Sequence, residues 1–148
     1  MDALRHWSAY GQKGHPSSTR VTASQWKHNP FVQPKPVQWE RTVPHASLTK
    51  LLNGFEPQAM EDKWFIYADG PDTEGNATVH MHRSWTGHKI VELKIKIPLT
   101  DAGEVKEEDA KITELIWESD KKAYNASEDD AKVTAQEVCR WVLHVELS

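Results

Sequence analysis

The sequence predicts an α+β domain, in which a four-stranded antiparallel meander sheet carries a C-terminal helix on one face. Three observations support this. Residues 63–118 alternate between apolar and polar side chains with a period of two, which is typical of strands. Short segments rich in turn-forming residues separate the four runs. After residue 127 the apolar residues recur at spacings of four and three, which indicates a helix. A length of 148 residues favours one domain.

The four predicted strands differ in how they expose their faces. They span residues 63–69, 77–85, 91–97 and 110–118. The first has apolar side chains on both faces, as expected of a central strand. The third alternates most regularly, with Val91, Leu93, Ile95 and Ile97 on one face and charged residues on the other, so we expect one buried and one solvent-exposed face.

Two helices are predicted outside the strand region. The C-terminal helix begins after Ser127, a capping residue that three acidic residues follow. Its apolar stripe comprises Ala131, Ala135, Val138, Val142 and Val145, and Cys139 beside this stripe is expected to be an inert, packed thiol. A short helix is expected between Ser47, as its cap, and Asn53-Gly54.

Residues 1–44 are predicted to form an extended arm, and residues 45–148 the domain. The arm carries five prolines, and Pro34 and Pro36 favour a polyproline-like path. Its aromatic residues, Trp7, Trp26, Phe31 and Trp39, argue against simple disorder. Two interpretations remain open: the aromatic side chains fill grooves on the domain itself, or the arm binds a protein partner.

Charge and composition restrict the partners that we expect. Net charge is −4, yet residues 1–45 carry six Lys/Arg against two Asp/Glu, and residues 101–130 carry four against eleven. The basic arm therefore lies across the acidic half of its own chain or meets an acidic partner. Basic residues interleaved with Trp are typical of single-strand nucleic-acid binding, but the acidic net charge argues against nucleic acid. No apolar leader or membrane-length segment occurs, and there is one cysteine, so a cytoplasmic protein is expected. No cofactor is predicted.

The segment from His80 to Gly87 contains most of the side chains that could bind a ligand or take part in a reaction. Strand alternation places Val79, Met81, Arg83 and Trp85 towards the core and His80, His82 and Ser84 on the opposite face. A buried arginine is costly without a counterion. Arg83 must therefore pair either with a carboxylate of the protein or with an anionic ligand.

The second possibility predicts a binding site for a small anionic molecule. Arg83 would hold the anion through its planar guanidinium, assisted by Ser84, Thr86 and the amide of Gly87. The walls would be Trp64, Tyr67 and Trp85. His82 would act as general acid or base if the protein is an enzyme. The chain contains none of the common nucleotide-binding glycine motifs and no nucleophile-elbow serine motif.

A zinc site is a further alternative. His80 and His82 share one face of a strand and could provide two nitrogen ligands, with His88 or Glu92 as a third. The competing interpretation is a pair of histidines on the solvent-exposed face of the sheet.

Several segments together resemble a family of short, largely uncharacterised microbial proteins. These segments are Glu61-Asp-Lys-Trp-Phe-Ile-Tyr67, His82-Arg-Ser-Trp-Thr-Gly87, Ile112-Thr-Glu-Leu115 and the acidic start Ser127-Glu-Asp-Asp130. The similarity covers residues 60–145. Some members occur beside, or fused to, ADP-ribosyl-glycohydrolase-type proteins, so the resemblance implies a link to ADP-ribose or NAD-type nucleotides. The Trp-rich arm and the long turn at residues 70–76 depart from the family pattern.

Overall fold

The computed structural model describes the backbone of residues 3–148 and the side chains of residues 6–148. In chain order the elements are α1 (Ala3–Tyr10), β1 (Pro34–Val43), α2 (Leu48–Asn53), β2 (Trp64–Asp69), β3 (Asn76–Arg83), β4 (Lys89–Lys96), β5 (Ala110–Glu118) and α3 (Glu128–Trp141). Short 3₁₀ turns occupy Ala23–Gln25 and His45–Ser47. Among the described residues, no helix combines the length and the apolar character needed to cross a membrane.

The five strands form one open antiparallel sheet in the order β1-β5-β4-β3-β2. The α+β class, the meander of β2 to β5 and the C-terminal helix are therefore confirmed. The registers bring Val79 opposite Leu93, and Leu93 opposite Leu115. One face of the sheet thus presents a continuous row of apolar side chains to α3.

The strand count was wrong, because the end of the predicted arm is a fifth strand. β1 pairs with β5, with Val37 opposite Leu115 and Val43 opposite Ala110. It lies at the edge of the sheet, where one row of backbone groups needs no partner, so Pro34 and Pro36 are tolerated there despite lacking N–H groups. Trp39 and Val43 point into the core and are buried.

The start of the arm is also not extended, since Ala3–Tyr10 forms α1. The sequence of its first turn contains no acidic residue that would favour the positive end of the helix dipole. Packing against α3 supplies the stabilisation instead. His6 Nε2 lies 2.6 Å from Glu137 Oε1, the His6 ring packs edge-on against Trp141, and Tyr10 is buried.

The main core lies between the sheet and α3, as predicted. Ser127 Oγ accepts a hydrogen bond from the Asp130 amide, and the Asp130 carboxylate accepts one from the Ser127 amide, which completes a capping box. Every residue of the predicted stripe is buried, and so is Cys139. Burial raises the pKa of Cys139 to about 12, which keeps the thiol protonated and unreactive.

The opposite face of β2 is covered by the segment between α1 and β1. Val21 packs with Phe65 and Tyr67 in a second small core, and Trp26 rests against them. β2 is therefore not the central strand that its two apolar faces suggested. It is an edge strand whose other face is buried by the docked arm.

Candidate functional site

The end of β3 places Arg83 on the α3 side of the sheet, as strand alternation predicted. There it lines a cavity of about 170 Å³ between the sheet, α1 and the start of α3. The lining residues are Ala9, Tyr10, Trp64, Arg83, Ile90, Ala123, Tyr124, Asn125 and Thr134. The cavity therefore combines one cation, three hydroxyls and an amide with apolar walls.

Arg83 has no carboxylate within ion-pairing distance among the residues that the structure describes. Its Nη1 donates to the backbone carbonyl of Ala9, and its guanidinium carbon lies 5.1 Å from the Trp64 ring centroid. Burial lowers the pKa of Arg83 below its ordinary value, and the neighbouring Tyr124 and Tyr10 partly offset this. An arginine stays charged in proteins, so a half-buried positive charge faces the cavity.

Two tyrosines and a threonine frame this charge. The hydroxyl of Tyr124 lies 2.9 Å from Thr134 Oγ1, and Tyr10 is close enough to interact with both. Burial raises the pKa of Tyr10 and Tyr124, and hydrogen bonding with Thr134 only partly opposes it. Both phenols are therefore neutral near pH 7 and able to donate.

Sequence reasoning did not identify Tyr10, Tyr124, Asn125 or Thr134. Thr134 could have been found, because it lies on the same helical face as the buried residues Ala131 and Ala135. Tyr124 and Asn125 lie in the irregular segment before α3, where no periodicity exists to predict an orientation.

Ser84, Trp85, Thr86 and Gly87 do not line this cavity. β3 ends at Arg83, and Gly87 closes a turn by donating its amide to the Arg83 carbonyl at a φ of 77°. Ser84 Oγ donates to the Asp62 carbonyl at 2.7 Å. Trp85 was expected on the core side, and this was wrong: the chain leaves strand alternation one residue earlier, so the indole is exposed.

Trp85 instead belongs to an exposed aromatic cluster. Lys63 Nζ lies 4.4 Å from the Trp85 ring centroid and 4.7 Å from that of Trp7. Trp85 Nε1 donates to the Met60 carbonyl, and the side chains of Met60 and Trp85 are 76% and 63% exposed. Of the predicted walls, only Trp64 contributes to the Arg83 cavity.

Tyr67 and His82 lie on the other face of the sheet from Arg83. The Tyr67 ring stacks on His80 and His82, with centroids 4.4 and 5.9 Å away, and His28 from the arm packs edge-on against His82. His82 is 1% exposed. Burial, and then the charges of His28 and Lys89, lower its pKa to about 3, and its Nδ1 has no hydrogen-bond partner among the described groups.

His80 belongs to a network of charged groups at the rim of this second face. Its Nε2 lies 2.7 Å from Asp69 Oδ2, and its Nδ1 lies 2.7 Å from Lys89 Nζ. Lys89 also donates to Glu92, and Lys94 Nζ lies 3.0 Å from Glu92 Oε2. Burial alone would raise the pKa of Glu92, but hydrogen bonds from His80, Lys89 and Lys94 hold it well below its ordinary range.

This network argues against a zinc site formed by His80 and His82. Both ring nitrogens of His80 already contact protein groups, so His80 and His82 do not present a shared pair of open ligands. Within the described part of the chain, no three His, Cys, Asp or Glu side chains are grouped as a metal site would require. The sequence did not predict the roles of Asp69 and Lys89, which depend on cross-strand neighbours.

Comparison with known proteins does not assign this chain to a family. No family model, no curated protein and no solved structure matches the chain. The resemblance drawn from the strand motifs therefore stays a prediction, and the site must be interpreted from its own chemistry.

Proposed function

We propose that this protein binds a small anionic molecule in the cavity around Arg83. The observation that carries the proposal is the guanidinium of Arg83, which is half-buried, has no carboxylate partner among the described residues, and faces an open cavity. Burying an unpaired charge costs several kcal/mol, roughly, and an anion in the cavity would offset this cost. Tyr10, Tyr124 and Asn125 add neutral donors beside the cation.

The geometry supports binding rather than catalysis by His82. His82 lies on the opposite face of the sheet from the cavity and is almost completely buried. A general acid or base must come within hydrogen-bonding distance of the reacting group. We therefore propose a binding protein, and link it to ADP-ribose or NAD-type nucleotides only as candidates to be tested.

A protein-interaction module is the weaker alternative. Two tryptophans of the arm pack against the rest of the chain: Trp39 is buried, and Trp26 Nε1 donates to the Ser84 carbonyl. This leaves Trp7 as the arm's exposed indole, which limits what the arm could offer a partner.

Thermal-shift measurements with a panel of carboxylates, phosphates, sulfonates and nucleotides would test the proposal. We expect at least one anion to raise the melting temperature of the native protein, and Arg83→Gln to abolish that rise. Arg41→Gln is a matched control, because Arg41 also stacks on a tryptophan and donates to a backbone carbonyl. Its response to the anion should equal that of the native protein.

The stability of Arg83→Gln without ligand distinguishes the two roles of this residue. Losing the hydrogen bond and the Trp64 contact of Arg83 should cost about 1–2 kcal/mol, and removing the unpaired, half-buried charge should offset part of that cost. Circular dichroism and thermal unfolding should show a folded variant. An unfolded variant would mean that Arg83 is a structural residue, and the proposal would fail.

A further inference from the structure

We infer that the ligand of this cavity is a monoanionic carboxylic acid with a short apolar body, rather than a phosphate ester. This inference rests on the proposed function. It follows from the charge, the donor geometry and the volume of the cavity.

Charge is the first argument. Arg83 is the one cationic side chain among the lining residues. The negative charge of Asp130 also acts on the phenols of Tyr10 and Tyr124. A carboxylate would neutralise Arg83 with one charge, whereas a phosphate monoester carries about −1.5 to −2 at pH 7. The second charge would stay uncompensated in a half-buried site, which is costly.

The donors are the second argument. A guanidinium can bind either a carboxylate or a phosphate through two parallel hydrogen bonds. Because one Nη group of Arg83 already donates to the Ala9 carbonyl, the donors that remain suit the two oxygens of a carboxylate better than the three of a phosphate. Phosphate sites commonly use the backbone amides of a helix N-terminus. Of the two helices that line the cavity, α1 contributes its C-terminal end, and α3 begins with Glu128, Asp129 and Asp130, whose carboxylates lie at its positive end.

Volume and wall chemistry are the third argument. A cavity of about 170 Å³ holds roughly the volume of six water molecules. Sites for drug-sized ligands span about 300–1,000 Å³, so a whole nucleotide does not fit inside. Trp64, Ile90 and Ala9 supply apolar walls beside the cation. This combination suits an aromatic or branched aliphatic acid whose carboxylate reaches Arg83.

Isothermal titration calorimetry with the full chain tests this choice of ligand. The probes are benzoate, its uncharged counterpart benzamide, phenylphosphonate, inorganic phosphate, AMP and ADP-ribose, all at pH 8. We expect benzoate to bind and the others to bind at least tenfold more weakly. Arg83→Gln should weaken benzoate binding at least tenfold, and Tyr124→Phe, which keeps the ring, should weaken it less.

The possible outcomes separate this inference from the proposed function. If phenylphosphonate, phosphate or a nucleotide binds in an Arg83-dependent manner and benzoate does not, anion binding stands and the carboxylate inference is overturned. If no probe binds, or if Arg83→Gln and Arg41→Gln bind benzoate as well as the native protein, both are overturned. Equal binding of benzamide and benzoate would also overturn both, because charge would then play no part.

Discussion

Arg83 and His82 are neighbours in sequence, yet the sheet separates them into two environments. Strand alternation predicted this separation, because a period of two places adjacent residues on opposite faces. It did not predict what each side chain meets. Arg83 meets Ala9 and Trp64, and His82 meets His28 and Tyr67. All four contacts depend on α1, on the docked arm or on the pairing of β3 with β2, and no local pattern of residues 79–85 contains that information.

His82 should make the protein less stable in mild acid. Its pKa is about 3 in the fold and about 6.5 in an unfolded chain, so between these values only the unfolded state takes up a proton. The free energy of unfolding should therefore fall as the pH drops below 6.5. From pH 6.5 to 5 this one group would contribute about 1.5 kcal/mol, while most carboxylates are still ionised.

Urea unfolding at several pH values would measure this dependence. His82→Leu should lose most of the slope between pH 6.5 and 5. His45→Leu is the control, because His45 is exposed and its replacement should leave the slope unchanged. A His82→Leu profile that parallels the native profile would show that His82 is not the group responsible.

The elements were predictable to the extent that their signals are local. β2, β4 and β5 begin and end within about two residues of the predicted limits, and α3 begins where its capping residue indicated. β1 and α1 were missed because their stability comes from partners distant in sequence. The prolines of β1 predict an extended arm, because the sequence does not show that β5 lies beside this segment and pairs with it.

The two serines at helix starts should contribute differently to stability. Ser127 Oγ accepts a hydrogen bond from the Asp130 amide, but Ser47, which was also predicted to cap a helix, makes no such bond. Ser127→Ala should therefore lower the free energy of unfolding by about 1 kcal/mol. Ser47→Ala should cost clearly less.

Chemical denaturation of the two variants side by side would measure the difference. Both replacements remove one hydroxyl from a residue just before a helix, so each serves as the control for the other. Equal losses would indicate that the capping hydrogen bond of α3 adds little to stability.

For the molecule as a whole, the boundary predicted at residue 44 divides segments that the fold packs together. α1 lines the Arg83 cavity, Val21 and Trp26 cover the outer face of β2, and β1 completes the sheet. Tyr10, Val21, Trp39 and Val43 are all buried against the rest of the chain. The aromatic residues of the arm pointed to docking, but the sequence could not show that the arm supplies part of the core.

A chain reduced to residues 45–148 should therefore fail to fold cooperatively. Fully burying one large apolar side chain contributes about 1.5–3 kcal/mol, so the four buried residues of the arm together approach the 5–15 kcal/mol by which domains are typically stable. The truncation would also leave β5 as an unpaired edge, which favours aggregation.

A chain of residues 11–148, which lacks only α1, should keep a cooperative transition at a lower melting temperature. Thermal unfolding followed by circular dichroism would compare the three chains. If residues 45–148 unfold cooperatively with a melting temperature within a few degrees of that of the full chain, the domain folds independently and the arm contributes little to its stability.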